Sequence, residues 1–83
     1  MRLDMFLKIS RLSRTRTDAN RMCSLGRVLV NGLAAKASKI VAEGEEITIS
    51  SEGSHRKFLV IKVPGNKQVS KAEARELVRP VED

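Results

Sequence analysis

Arg14 and Arg16 bracket Thr15, and Asp18 follows Thr15 by three residues. That spacing is a capping box with Asp where Glu is usual, so a helix opens at Arg16. A cation in a first helical turn opposes the macrodipole by ~0.3–1 kcal/mol. A sequence arranged for stability alone would place acids there. Two arginines beside the exposed amides of a helix start are suited instead to holding phosphate. Lys8 and Arg11 from an earlier helix, and Arg27 just beyond the later one, can join the same face. The bland alternative is a solvated basic surface with no partner.

The distribution of charge favours a polyanion. Residues 1–42 hold nine Lys/Arg against Asp4 and Asp18, a net of +7. Residues 43–83 hold seven against eight acids, a net of −1. A one-sided cationic field attracts nucleic acid through phosphate neutralisation and counterion release. A membrane-surface helix would need a broad apolar face with aromatic anchors, and the chain has no Trp. No apolar run approaches the ~20 residues a bilayer requires. Charges at Arg2, Asp4, Lys8 and Arg11 leave no signal-peptide core, so a cytoplasmic protein with no membrane partner is expected.

Catalysis finds little support. The single histidine, His55, lies between Ser54 and Arg56 in a polar turn, with nothing to make it a general base. One His and one Cys cannot supply the convergent ligands of a metal site. Neither a P-loop nor a dinucleotide-binding glycine pattern occurs. No cofactor, metal or enzymatic activity is expected. Cys23, the one cysteine, cannot form an intramolecular disulfide, which suits a reducing compartment. Beside Met22 on an apolar face it reads as a small core residue. With 83 residues the chain makes one small domain. Such a domain buries only about 60–65% of its unfolded surface, which leaves little room for a deep cleft.

The elements that carry the basic residues follow from periodicity. Leu3, Phe6 and Leu7 fall at helical spacing, widened by Met5, Ile9 and Leu12, and predict a first helix from Leu3 to Leu12. Its other arc carries Asp4, Lys8 and Arg11. Asp4 either pairs with Lys8 on the surface, worth a few tenths of a kcal/mol, or orients basic side chains. The second helix runs from Arg16 to Leu25, with Ala19, Met22 and Cys23 inward and Gly26 as its left-handed cap.

Val28-Leu29-Val30 then makes a short strand, and Asn31-Gly32 is a strong hairpin signal. Ala35 to Lys39 can return as a strand or a loop. Glu43-Gly44-Glu45 and Glu52-Gly53-Ser54 are turns around the strand Ile47-Thr48-Ile49. The longest strand candidate is Phe58 to Val63, ended by Pro64-Gly65-Asn66. Ser70 and Glu73 form a second capping box, opening a helix from Lys71 to Val78 that Pro80 closes. The expected class is α+β: two N-terminal helices packed on a small, mostly antiparallel sheet, with a short C-terminal helix.

Only two aromatic residues are present, Phe6 and Phe58, and both lie in apolar patterns that claim them for the core. Single-strand binders and RNA-recognition sheets stack bases on exposed aromatics. This chain has no such platform, so the expected ligand is structured RNA, read by backbone and shape. A helix-turn-helix reading duplex DNA is the less suited alternative.

Arg2-Leu3-Asp4-x-Phe6-Leu7, Arg11-Leu12, Thr15-Arg16, Ala19, Gly26-x-Val28-x-Val30-Asn31-Gly32 and Gly44-Glu45-x-Ile47 together resemble the S-four RNA-binding domain, named after ribosomal small-subunit protein four. The resemblance covers about residues 2–50, with Glu45 where Asp is usual and Met22-Cys23 where a Leu-Ile-like pair is usual. It implies an αL-type RNA-binding motif, two helices on a small antiparallel sheet. Carried over position by position, it puts RNA contacts at Arg2, Lys8, Arg11, Arg16, Asn31 and Lys36. Asn31 has a competing role, since with Gly32 it makes a type I′ turn.

Most members are domains appended to RNA-modifying or synthetase enzymes. This short chain is more similar to the small bacterial ribosome-associated members. One type stabilises peptidyl-tRNA on a free large subunit during ribosome-associated quality control. The other is heat-shock-induced and carries a long basic extension. The ending Arg79-Pro80-Val81-Glu82-Asp83 fits the first type better.

The resulting expectation is a non-enzymatic RNA-binding protein, monomeric off the ribosome. It would act on the large ribosomal subunit, its rRNA or its bound tRNA, in rescue or quality control of stalled translation. The RNA-binding set is Arg2, Lys8, Arg11, Arg14, Arg16, Arg27, Asn31 and Lys36, on an S-four-like domain of residues 1–63 followed by a helical tail of residues 64–83. The alternatives are a protein-interaction module and an accessory RNA-binding domain of an RNA-modifying enzyme.

Overall fold

In the computed structural model the described residues are 1–65 and 68–81, so Asn66 of the expected turn, Lys67, and Glu82 and Asp83 of the expected tail fall outside them. The first helix, α1, spans Leu3–Ile9 and stops short of the Leu12 that periodicity suggested. Ser10 caps it, its hydroxyl donating to the Phe6 carbonyl at 2.7 Å. Arg11 follows at φ 63°, and its N–H donates to the Lys8 carbonyl at 3.1 Å. The left-handed residue turns the chain off the helix axis. Leu12 still packs on the core from outside the helix, which is why its spacing looked helical. Every residue of α1 except Lys8 is buried, so the polar arc expected on it does not exist. Asp4 lies inside and does not meet Lys8.

The second helix, α2, spans Arg16–Ser24, with Thr15 Oγ1 accepting the Asp18 N–H at 2.9 Å. It ends as expected, with Gly26 at φ 72°. The Arg27 N–H reaches the Met22 carbonyl and the Gly26 N–H the Cys23 carbonyl, both at 3.0 Å, which is a Schellman motif. Small Ala19, fully buried, lets α1 and α2 approach.

Strand β1 (Val28–Val30) turns through Asn31 (φ 51°) and Gly32 (φ 83°) into β2 (Leu33–Ala34), a type I′ geometry. The chain from 35 to 45 is mostly loop and closes back on the N-terminus. Lys39 and Ala37 carbonyls accept the Leu3 and Asp4 amides at 2.7 and 3.1 Å, giving partners to amides that α1 leaves orphaned. Strands β3 (Glu46–Ser51) and β4 (Ser54–Val60) form the main hairpin, and α3 (Lys71–Leu77) leads directly into β5 (Val78–Val81).

The sheet is antiparallel throughout, in the order β2-β1-β3-β4-β5. Its register aligns Val28 with Ile49, Val30 with Ile47, Ile47 with Phe58, and Val60 with Val78, so one face is apolar. Leu3, Phe6 and Leu7 of α1 and Leu77 of α3 join Val28, Val30, Ile47 and Val60 from that face in a single core. The α+β class and the two-helix arrangement follow the sequence reading. β5 does not: Pro80 sits opposite Phe58 in an edge strand, one of the few sheet positions that tolerate a missing N–H. Among the described residues no helix is long and apolar enough to cross a membrane.

Candidate nucleic-acid interface

The basic residues gather in two shallow depressions. The first is organised by Asp4, which is 1% exposed. Its Oδ1 accepts the Met5 N–H at 2.8 Å and Arg2 Nε at 3.2 Å, and its Oδ2 accepts Arg2 Nη2 and Arg16 Nε, both at 3.3 Å. A carboxylate has about four lone-pair directions, so this one is saturated, the condition under which a buried charge is tolerated. Burial alone would push the Asp4 carboxyl up. The bonds from Arg2, Arg16 and the Met5 amide, with the Arg16 charge, outweigh it and hold the group below its ordinary value. Around this centre Arg2, Asp4, Arg16, Thr17, Asn20 and Arg21 line an open depression of about 500 Å³.

The second depression, about 550 Å³, is lined by Lys8, Ile9, Arg11, Ser13, Arg14, Gln68 and Val69. Lys8, Arg11 and Arg14 are all exposed. Ser13, buried, fixes the α1–α2 corner by donating from Oγ to the Thr15 carbonyl at 3.0 Å. Pro64 and Gly65 share a further concavity with Arg2 and Arg16, while Gln68 and Val69 line the second depression.

The structure therefore joins Arg2 with Arg16, and Lys8 with Arg11 and Arg14. Arg27 lines neither depression; it immediately precedes β1, and its carbonyl accepts the Ser50 N–H at 2.8 Å. Asn31 is at the hairpin tip, where its Oδ1 accepts the Glu46 N–H at 2.9 Å, tying the turn to β3. Lys36 is exposed in the loop that returns to α1. Neighbouring Lys39 is committed to the fold: it pairs with Glu45 at 2.8 Å, while Glu45 also accepts the Ala42 N–H at 2.6 Å. Burial would raise the Glu45 carboxyl, but these bonds hold it below its ordinary value.

Arg16 differs from the sequence reading in one respect. It is not simply a cation placed against a helix dipole, because a buried carboxylate holds it. Sequence reasoning also missed Arg21, Thr17 and Asn20. The signal was present: positions 16, 17, 20 and 21 share one face of α2 by helical spacing. Nothing comparable announced Gln68.

The remaining reactive groups are quiet. Cys23 is buried, and burial, with the Asp4 charge, pushes its thiol up. His55 lies in β4, not in a turn, its Nδ1 2.9 Å from Ser50 Oγ. Both phenylalanines are inside, with Arg56 stacked 5.1 Å over the Phe58 ring. Among the described residues no group of three or more His, Cys, Asp or Glu could hold a metal ion.

Comparison with known proteins gives a consistent picture. The S4 domain matches residues 1–47. A Halalkalibacterium halodurans protein named RQC P-site tRNA stabilizing factor is 44% identical over 78 residues, covering 93% of this chain and 85% of that one. The Helicobacter pylori protein of the same name is 32% identical over 80 residues, covering 96% and 95%. Among solved structures, the trimeric Vibrio cholerae heat shock protein 15 superposes with TM-score 0.86 at 32% identity, over 98% of this chain and 81% of that one. The solution structure of the hypothetical protein HP1423 gives TM-score 0.86 at 31% identity, over 100% and 99%.

Proposed function

Because the chain belongs to the S4 domain family, we propose that it is a non-enzymatic RNA-binding protein of ribosome-associated quality control. It acts in the cytoplasm, on the large ribosomal subunit and its bound tRNA, and is monomeric away from the ribosome. The observation that carries the proposal is where the cations lie. Both depressions draw their basic residues from the segment 1–47 that matches the family. Two relatives named RQC P-site tRNA stabilizing factor align over 85% and 95% of their length, which supports the same role here.

Arg2, Arg16, Lys8, Arg11 and Arg14 supply the phosphate contacts, and Lys36 and Arg27 extend the basic surface toward the hairpin. Asn31 serves the turn first and RNA second. Residues 1–63 form the RNA-binding unit, and the 64–83 segment supports it. Sucrose-gradient sedimentation of a lysate tests the proposal. The protein is expected with large subunits at low salt and to be released as salt rises. Recovery only at the top of the gradient at low salt would remove the ribosomal role.

A further inference from the structure

We infer that Asp4 is the positioning residue of a phosphate seat. It holds Arg2 and Arg16 as one pair of guanidinium groups that takes a single phosphodiester of structured RNA, in the depression completed by Thr17, Asn20 and Arg21. The inference rests on the RNA-binding reading and adds to it a defined site, its ligand group and the residue that builds it.

The cluster is sealed at one end and open at the other. The Asp4 side chain is 2% exposed, whereas those of Arg2 and Arg16 are 46% and 44% exposed. A carboxylate buried only for stability would be served by the Arg2 fork and the Met5 amide, already three of its bonds. Arg16 reaches it from another helix through Nε alone. That leaves both Nη groups of Arg16, and Nη1 of Arg2, without a protein acceptor among the described residues. These are the donors suited to grip phosphate bidentately. Thr17, Asn20 and Arg21, on the same face of α2 as Arg16, add a hydroxyl, an amide and a further guanidinium.

Asp4 also removes one unit of positive charge from a surface meant for a polyanion. Charge alone would favour its absence. What it supplies is order: two long side chains fixed before binding, so that they need not be immobilised at the moment of binding, a gain of roughly tenfold or more in affinity.

That opposition gives a test whose sign decides. Binding of tRNA would be measured at fixed salt for the wild type, Asp4→Asn and Asp18→Asn. Both variants raise the net charge by one, and Asp18 touches neither Arg2 nor Arg16. Asp18→Asn should bind unchanged or about twofold tighter. Asp4→Asn should bind about tenfold more weakly despite its added charge, with a log–log salt slope shallower by about one as a phosphate contact is lost. If Asp4→Asn instead binds as tightly as Asp18→Asn while the wild type binds, the seat is wrong and the RNA-binding reading survives. If the wild type itself does not bind, both fall.

Should Asp4→Asn not fold, NMR of the wild-type arginine side chains decides. The Arg2 and Arg16 Nε–H protons should exchange slowly in free protein and stay slow when tRNA is added, while their Nη signals shift. Nη signals of Arg2 and Arg16 unmoved by tRNA would overturn the inference.

Discussion

Arg11 stands at φ 63° immediately after the α1 cap, in the left-handed region where a side chain costs roughly 1–2 kcal/mol and glycine is the usual occupant. Under the RNA contact proposed for it, an exposed arginine is kept in such a place for its guanidinium beside Lys8 and Arg14. Arg11→Gly should therefore leave thermal stability unchanged or raised by up to ~1 kcal/mol, and weaken tRNA binding by ~1.5–3 kcal/mol. A variant that melts earlier would make Arg11 structural.

Asp4 predicts a pH dependence. Its carboxyl is stabilised in the ionised form in the folded protein, so its contribution is complete above the unfolded value of 3.8 and fades as the pH falls through the lower folded value. Urea midpoints should be flat between about pH 5 and 7 and fall below about pH 4. The fall should be shallower in Asp4→Asn, with Glu45, shifted in the same direction, supplying the remainder. Sequence pattern could not separate the two roles open to Asp4. Helical spacing placed it near Lys8, but only the loop that covers the N-terminus of α1 turns that side inward.

At the scale of elements, what was legible was what is encoded locally. The Thr15 and Ser70 caps, the Gly26 terminus and the Asn31-Gly32 turn each depend on a few adjacent residues, and each forms where its chemistry required. The end of α1 and the existence of β5 depend on distant partners. Leu12 satisfies the apolar spacing from outside the helix, and Pro80, which reads as a helix stop, occupies an edge position that only the path of β4 creates.

The α3–β5 segment is part of the core, since Leu77 is 2% exposed and packs with residues of α1 and the sheet. Leu77→Ala should cost ~2–5 kcal/mol by denaturant unfolding, although it lies outside the segment that matches the family. A loss below ~1 kcal/mol would mean that the segment merely rests on the domain. Asn31→Gly keeps the turn and loses the bond to the Glu46 amide. It should cost about 1 kcal/mol and little RNA affinity, which separates its turn role from an RNA contact.

For the molecule as a whole, the charge asymmetry of the sequence becomes a spatial one. The apolar face of the sheet and the inward sides of the helices are used up in the core, and the corner between α1 and α2 presents the cations. Which basic residues would be neighbours was only partly readable. Arg14 and Arg16, two positions apart in sequence, line different depressions, whereas Arg2 and Arg16, far apart in sequence, share one carboxylate.

If both depressions engage RNA, about five phosphates are neutralised, and log affinity for tRNA should fall with log salt at a slope of about −4. The most direct measurement is this salt titration, carried out with unlabelled tRNA and an acidic protein as competitors. A slope of about −4, with displacement by tRNA and not by the acidic protein, is predicted. A slope near zero, or displacement by the acidic protein alone, would contradict the basic corner as an RNA interface.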